Sequence, residues 1–283
     1  MAKQKREVEV VVLSDIHLGT YGCHAKELVA YLKSVSPKVL ILNGDVIDGW
    51  AFSKRYFPNS HMAVLSEFFK MMKKGTQVIY ITGNHDEFLR KYTDLSMGNL
   101  FLTDKYLLEI EGKKHWIFHG DVFDHTTSGG AKYIAKLGGM GYDWLILVNR
   151  AINWILEKFG KGKVSLSKKV KNSVKKAVKF IGDFEKKATE IAINNHYDYV
   201  ICGHIHQPAD KIWTTEKGSV HYLNSGDWIE NLSWLEFDKG NWNLKFFNEK
   251  DFEKPIIEKN DISVNMEELI HPKVFAEFAT QKV

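Results

Sequence analysis

The sequence predicts an α/β (α+β) fold in which two packed, mixed β-sheets are flanked by helices, a four-layer sandwich with a helical cap insertion. Three strand–helix repeats within about the first 85 residues predict parallel strands joined by right-handed crossovers. Later parts of the chain contain hairpin signals instead, which are typical of antiparallel strands. A helical segment at about 122–196 interrupts the hairpins and is predicted to be the cap.

The first part of the chain alternates short apolar runs with segments of helical periodicity. Strands are predicted at Val8–Leu13, Val39–Leu42 and Gln77–Thr82, because each is a short apolar run bounded by turn or polar residues. Helices are predicted between them, at His24–Val35 and His61–Lys74. The apolar face expected for the second helix consists of Met62, Leu65, Phe69 and Met72.

The later part is predicted to form three hairpins and one more buried strand. The paired strands are Tyr106–Ile110 with Lys114–His119, Ile212–Thr215 with Val220–Leu223, and Trp234–Phe237 with Trp242–Phe246. The buried strand is Asp198–Cys202. We therefore expect one main domain over residues 1–248, interrupted by the cap, and a peripheral C-terminal tail over residues 249–283.

The composition is that of an ordinary globular protein. Hydrophobic residues make up 44% of the 283 residues and charged residues 26%. No apolar stretch reaches the length of about eighteen residues that a spanning helix needs. The charged N-terminus argues against a secretory signal, and the two cysteines, Cys23 and Cys202, favour a reducing compartment. These features predict a cytoplasmic protein.

Polar side chains follow five of the predicted strands. They are Asp15, His17, Asp45, Asp48, Asn84, His85, His119, His204 and His206. Ligands of open α/β sheets lie at the carboxyl ends of the strands, so we expect these side chains to gather at one edge. Carboxylate and amide oxygens mixed with imidazoles suit Mn²⁺, Fe or Zn²⁺ better than Ca²⁺ or a thiolate-bound structural zinc.

Asp45 is the residue on which this interpretation depends most. A carboxylate has two oxygens and can contact two cations, whereas the alternative is a turn aspartate that caps the next helix. Two bridged cations form a clamp suited to in-line attack at phosphorus, where catalysis is largely positioning and charge neutralisation.

The five motifs Asp15-x-His17, Gly44-Asp45-x-x-Asp48, Gly83-Asn84-His85-Asp86, His119 and Gly203-His204-x-His206 occur in the order of the calcineurin-like metallophosphoesterases, and residues 8–210 resemble that family. The resemblance implies a β-sandwich flanked by helices and two divalent cations. One cation would be held by Asp15, His17, Asp45 and His206, and the other by Asp45, Asn84, His119 and His204. It also implies that His85 contacts the phosphate or protonates the leaving oxygen, with Asp48 orienting its ring.

Within that family, the long insert and the Leu13–Leu18 segment resemble the UDP-2,3-diacylglucosamine hydrolases of lipid A synthesis. The resemblance is incomplete at one position: the motif of those enzymes is Gly-Asn-Arg-Asp, and this chain has His85 in place of the arginine. The resemblance implies a phosphorylated small molecule or a lipid–nucleotide as substrate, and Mn²⁺ is the cation we favour.

A lysine-rich segment over residues 158–187 admits three interpretations. It is a solvated helix face, a surface that contacts anionic lipid at the inner face of the membrane, or a nucleic-acid contact. The scarcity of aromatic residues for base stacking argues against nucleic acid. The apolar residues 144–155 of the cap similarly either line an acyl-chain pocket or pack a helical hairpin together.

Three functions remain open from the sequence. The first is a dinuclear metal-dependent hydrolase of phosphoester or pyrophosphate bonds. The second is a phosphodiesterase or nuclease that acts on nucleic acid or nucleotides, and the third is a catalytically silent binding module. The full set of predicted ligands favours the first. Asp86 and Asp121 are expected to hold imidazole rings by hydrogen bonds rather than to bind a cation.

Overall fold

A computed structural model describes residues 5–51, 56–126 and 167–253. The first sheet has seven strands in the order β12-β11-β1-β2-β3-β5-β4, with β1, β2, β3 and β5 parallel. Its strands are β1 Arg6–Leu13, β2 Val35–Asn43, β3 Gln77–Ile81, β4 Ser96–Met97, β5 Leu100–Thr103, β11 Ser233–Asp238 and β12 Asn241–Phe246. Antiparallel pairing of β11 with β1 makes this sheet mixed.

The second sheet has five strands in the order β6-β7-β8-β10-β9. Its strands are β6 Lys105–Ile110, β7 Lys113–Phe118, β8 Tyr199–Cys202, β9 Ala209–Thr215 and β10 Gly218–Asn224. The three central strands β7, β8 and β10 are parallel, and the outer strands β6 and β9 pair as hairpins. The predicted hairpins and the predicted buried strand are therefore confirmed.

In the part of the chain that the structure describes, three α-helices complete the layers: α1 Ala25–Ser34, α2 Asn59–Lys73 and α3 Ser167–Asn194. Short 3₁₀ helices occupy Glu87–Tyr92, Asp121–Thr126 and Glu249–Asp251. Helices α1 and α2 cover one face of the first sheet, and α3 packs on the far face of the second. Among these described helices, none combines the length and apolarity that crossing a bilayer requires.

Alternation along β1 shows how the layers are separated. Val10 and Val12 face the second sheet, where they pack with Ile117 and Ile201. Val11 and Leu13 belong instead to the cluster under α1 and α2. Because successive residues of a strand point to opposite faces, an apolar strand can fill both layers at once. The four-layer arrangement predicted from the sequence is confirmed.

The buried face of α2 differs from the predicted one. Phe69 is 64% exposed, whereas Val64, Phe68 and Met71 are buried, so the prediction for this face was wrong at Phe69. The same face buries two polar residues, His61 and Glu67. Each has a partner, since His61 Nδ1 accepts a hydrogen bond from the Gly19 amide and Glu67 pairs with lysines. Counting apolar residues alone omits such positions and rotates the inferred face.

Much of the predicted cap, residues 127–166, lies outside the described residues, as does most of the predicted tail, from residue 254 onward. The apolar residues 144–155 and the first lysines of the basic segment fall in that part. The second half of α3 packs on the second sheet through Phe184, Ala188 and Ala192. The division into a main domain, a cap and a tail stays a prediction.

Candidate metal centre

All nine predicted site residues come to one edge of the sandwich, because the strands before them run in the same direction. Contacts across the two sheets bring them together. Asp45 Oδ2, after β2, lies 3.2 Å from His119 Nε2, after β7. Asp15 Oδ1, after β1, lies 3.2 Å from His206 Nε2, after β8. Each cluster thus combines residues that follow strands of both sheets.

The backbone at this edge adopts a conformation that L-residues rarely use. Asp15, His17, Asp45, His204 and His206 all have a positive φ, between 51° and 66°. For a residue with a Cβ, this left-handed region costs about 1–2 kcal/mol. Hydrogen bonds between neighbouring turns stabilise this conformation. For example, the His17 amide donates to the Asp45 carbonyl oxygen at 2.9 Å. Strain of this kind, repeated at five neighbouring positions, is typical of functional sites.

Glycine precedes two of the motifs for a steric reason. A Cβ on Gly83 would lie 2.2 Å from Asp45 Oδ1, and one on Gly44 would lie 2.3 Å from the ring of His119. Gly44 also has a φ of +79°. The motif glycines therefore let the backbone of one strand end touch the functional side chain of the next.

A first group of donor atoms comes from Asp15, His17 and His206, whose ligand atoms all lie within 4.8 Å of one another. Asp15 is fully buried, and its Oδ2 accepts a hydrogen bond from the His204 amide at 3.0 Å. Its Oδ1 and the Nε2 of His17 are buried without a hydrogen bond in the described part of the chain, since His206 Nε2, 3.2 Å from Oδ1, lies outside hydrogen-bond geometry. Both atoms are therefore available to a cation.

A second group comes from Asp45, His119 and His204, again within 4.8 Å of one another. His119 Nδ1 lies 2.9 Å from the Asn43 carbonyl oxygen, which can only accept, so Nδ1 carries the proton. The Nε2 atom is thereby turned toward Asp45. His119 Nε2 and Asn84 Oδ1 are also buried without a hydrogen bond among the described residues, since Asp45 Oδ2, 3.2 Å from His119 Nε2, lies outside hydrogen-bond geometry.

The charges of this cluster favour positive charge at its centre. Burial raises the pKa of the Asp45 carboxyl, but the imidazole of His119 outweighs burial and the pKa lies below its usual range. Burial lowers the pKa of His119, but the carboxylates of Asp45 and Asp15 raise it to about 10. Buried polar atoms that lack a hydrogen-bond partner are costly and rare in folded proteins. Their convergence beside two buried carboxylates fits divalent cations.

His85 and Asp48 form a separate pair at the edge of the cluster. Asp48 Oδ1 lies 3.0 Å from His85 Nδ1, while its Oδ2 lies 3.3 Å from His17 Nδ1. The amides of Trp50 and Ala51 also donate to Asp48 Oδ1. The His85 side chain is 19% exposed, so it reaches the solvent side of the cluster, where the ring of Trp50 lies 4.0 Å away.

Within the described residues, Asp86 and Asp121 form no hydrogen bond or ion pair with an imidazole ring, contrary to the prediction. Asp86 accepts hydrogen bonds from the amides of Val46 and Gly83 and from the hydroxyl of Tyr80. It therefore ties the backbone of the second and third motifs together. Asp121 forms an ion pair with Arg90 at 2.6 Å.

Two carboxylates that the sequence analysis missed take that place instead. Asp124 Oδ1 lies 3.0 Å from His204 Nε2, and Asp227 Oδ2 lies 3.5 Å from His206 Nδ1. A signal for Asp227 was present, since Gly226-Asp227 follows β10 after one intervening residue, Ser225, much as Gly44-Asp45 follows β2. Asp124 has no comparable signal because it lies within a short 3₁₀ helix.

Comparisons with known proteins give one family match and several distant relatives. The profile of the calcineurin-like phosphoesterase family matches residues 8–208. Over 250 residues the chain is 24% identical to UDP-2,3-diacylglucosamine hydrolase from Blochmanniella pennsylvanica, which covers 84% of this chain and 96% of that protein. A DNA polymerase II small subunit from Thermoplasma acidophilum is 31% identical over 144 residues, 42% of this chain and 30% of that protein. Among solved structures, Yfce, a phosphoesterase from E. coli, aligns with a TM-score of 0.39 at 12% identity, over 84% of this chain and 99% of that one.

Proposed function

This chain belongs to the calcineurin-like phosphoesterase family, and from that premise we propose that it is a dinuclear metal-dependent hydrolase of phosphoester or pyrophosphate bonds. The observation that carries the proposal is the group of four buried donor atoms without partners, Asp15 Oδ1, His17 Nε2, Asn84 Oδ1 and His119 Nε2. Hydrolysis at phosphorus needs concentrated positive charge at the phosphoryl oxygens, and these donors are suited to hold it.

Two overlapping ligand sets would hold the cations. Asp15, His17, Asp45 and His206 form one set, and Asp45, Asn84, His119 and His204 form the other. Bound cations would neutralise the phosphoryl oxygens and lower the pKa of an attacking water. Mn²⁺ is the favoured ion, with Fe and Zn²⁺ as alternatives, because the sets mix oxygen and imidazole ligands.

His85 is suited to donate a proton to the leaving oxygen. Its ring lies at the solvent side of the cluster and its Nδ1 lies 3.0 Å from Asp48 Oδ1, which leaves Nε2 for the substrate. Asp48 is fixed in turn by two backbone amides, so the ring orientation is set before substrate binds. Pre-orientation of this kind is what general acid catalysis requires.

The substrate class we favour is an amphiphilic sugar nucleotide or a related pyrophosphate. Its basis is the relative named UDP-2,3-diacylglucosamine hydrolase, which matches along 84% of this chain. This chain has His85 where the motif of those enzymes has an arginine, so we expect hydrolysis of simpler phosphodiesters as well. We propose that the lysine-rich segment 158–187 brings such a substrate from an anionic membrane surface.

The test is a side-by-side assay of the Mn²⁺-loaded protein on three substrates: UDP-2,3-diacylglucosamine, bis-p-nitrophenyl phosphate and p-nitrophenyl phosphate. We expect hydrolysis of the pyrophosphate at least tenfold faster than that of the monoester. Equal rates on all three would contradict the lipid–nucleotide assignment but not the hydrolase. Absence of hydrolysis by a protein that holds two cations would contradict the hydrolase itself.

A nucleic-acid phosphodiesterase is the second candidate, favoured by the similarity to a DNA polymerase small subunit over 42% of the chain. It predicts DNA binding that weakens steeply as salt rises, because each phosphate contact releases counterions. Cleavage of single-stranded DNA faster than UDP-2,3-diacylglucosamine would favour this candidate over the first.

A further inference from the structure

The segment Asn224–Asn231 follows β10 and belongs to none of the five motifs. Strand β10 is parallel to β8, so its carboxyl end emerges beside His204 and His206. The side chains of Asn224, Ser225 and Asp227 are completely buried although all three are polar. Polar groups buried in this way are kept for the bonds that they make.

One half of these bonds reaches the first motif. The hydroxyls of Ser225 and Ser14 lie 2.7 Å apart, and the Ser14 hydroxyl also donates to the Gly226 carbonyl oxygen. The Trp228 amide donates to the carbonyl oxygen of Asp15 at 3.1 Å. The segment therefore holds the backbone that presents Asp15.

The other half reaches the last motif. Asn224 Nδ2 donates to the Gly203 carbonyl oxygen at 2.9 Å, and Asn231 Nδ2 donates to the His206 carbonyl oxygen at 2.9 Å. The backbone on both sides of His204 is thus bonded to this one segment. Motifs from two different sheets are joined through it.

Asp227 is the centre of the segment. Its Oδ1 accepts from the amides of Ile229, Glu230 and Asn231, and its Oδ2 accepts from the Asn231 side chain at 2.7 Å. That fixed Oδ2 lies 3.5 Å from His206 Nδ1, while His206 Nε2 lies 3.2 Å from Asp15 Oδ1. A carboxylate on one imidazole nitrogen keeps the proton there and leaves the other nitrogen as a ligand.

We propose that Asp227 is a positioning residue that sets the affinity of the cation held by Asp15, His17 and His206, and that the segment Asn224–Asn231 is a sixth structural element of the centre. This inference rests on the proposed two-cation function. It predicts selectivity, because His119 and His204 have other partners, the Asn43 carbonyl oxygen and Asp124. Loss of the Asp227 carboxylate should therefore weaken one cation and spare the other.

The experiment is a Mn²⁺ titration of the metal-free full chain by calorimetry, with electron paramagnetic resonance to distinguish a coupled pair from a single ion. Native protein is expected to bind two Mn²⁺. In Asp227→Asn the amide oxygen still accepts from the backbone, but the contact with His206 Nδ1 is lost. We expect one site to weaken about 10- to 100-fold, the range for loss of a partner behind a ligand, with the other within twofold of native.

Two further variants keep the result decisive. Asp227→Ser retains an oxygen for the backbone amides and should show the same selective loss, which guards against a folding defect of the first variant. Asp210→Asn removes the carboxylate from a second histidine pair, His221 with Asp210 on β9 and β10, and should leave both affinities unchanged. Two Mn²⁺ bound with native affinities in both Asp227 variants would overturn the inference, as would equal weakening of both sites. A native chain that binds no Mn²⁺ would instead overturn the proposed function.

Discussion

Two groups of charges around buried carboxylates are built in opposite ways in this protein. At the strand edge, Asp15, Asp45 and their histidines leave donor atoms without partners on a left-handed backbone. At the other group, on β11, every oxygen of Glu236 is satisfied. Its carboxylate takes two bonds from the Arg6 guanidinium, at 2.7 and 2.9 Å, and one each from the Tyr31 hydroxyl and the Trp234 indole nitrogen.

The difference indicates what each group is for. A buried charge that meets all of its partners within the chain contributes to the stability of the fold. A cluster in which several buried polar atoms have no hydrogen bond, despite the cost, is complete only with a group from outside the chain. Substitutions at the two groups should therefore separate activity from stability.

The largest effect is expected for Asp45→Asn. Asparagine tolerates the left-handed backbone and keeps the shape of the side chain, but it removes the charge shared by both ligand sets. We expect phosphodiesterase activity to fall by more than about 100-fold, the upper range for loss of an outer partner of a ligand. Measurement of kcat/KM beside urea unfolding tests this, and activity retained with two cations bound would contradict it.

Next in size is the contrast between two glycine-to-alanine changes. Gly83→Ala places a methyl group 2.2 Å from Asp45 Oδ1, so Asp45 must move, and we expect at least a tenfold loss of Mn²⁺ affinity. Gly182→Ala is the matched control, because a Cβ there meets nothing within 4 Å and the residue lies inside α3. Alanine in a helix interior should stabilise the protein by about 1 kcal/mol without changing Mn²⁺ affinity. Equal effects of the two changes on Mn²⁺ titration would refute the close approach as the reason for Gly83.

Glu236→Gln should move stability and leave the metal centre unchanged. The amide cannot accept from both nitrogens of Arg6, and loss of a buried hydrogen-bond partner costs about 1–3 kcal/mol of unfolding free energy. Urea unfolding of the two proteins measures this, and unchanged Mn²⁺ affinity serves as the control. A variant with unchanged stability and weakened Mn²⁺ binding would contradict the conclusion that Glu236 serves stability and the strand-edge cluster serves metal binding.

The smallest effect is the pH dependence of that difference. Burial raises the pKa of Glu236, but hydrogen bonds from Arg6 and Trp234 outweigh it, so its folded pKa lies below the ordinary value of 4.5. The folded state then favours the charged form, and the contribution to stability is complete above that ordinary value. It is lost as the pH falls through the lower, folded pKa. The stability difference between native protein and Glu236→Gln should therefore shrink below about pH 4.5, as unfolding at a series of pH values would show.

The strands and the edge where the site lies could be predicted because both depend on local patterns. Apolar runs that end in Gly-Asp, Gly-Asn-His or Gly-His-x-His predict both the strand and the polar residue that follows it. Parallel direction then requires the ends to meet. The buried face of α2 was predicted wrongly at Phe69, because the buried polar residues of this helix have partners far away in the chain. The strand pair β4 and β5 was missed because the two strands are only two and four residues long.

The sequence by itself determined the strands other than β4 and β5, the nine polar residues of the five motifs, and the gathering of these carboxylate, amide and imidazole side chains at one edge. Tertiary structure alone decided which carboxylate faces which ring, namely Asp124 on His204 and Asp227 on His206, with Asp86 and Asp121 bound elsewhere. The reason is physical. Strand direction follows from residue patterns a few positions long, whereas a hydrogen bond is set by distances of about 3 Å between loops, which only the packing of two sheets fixes.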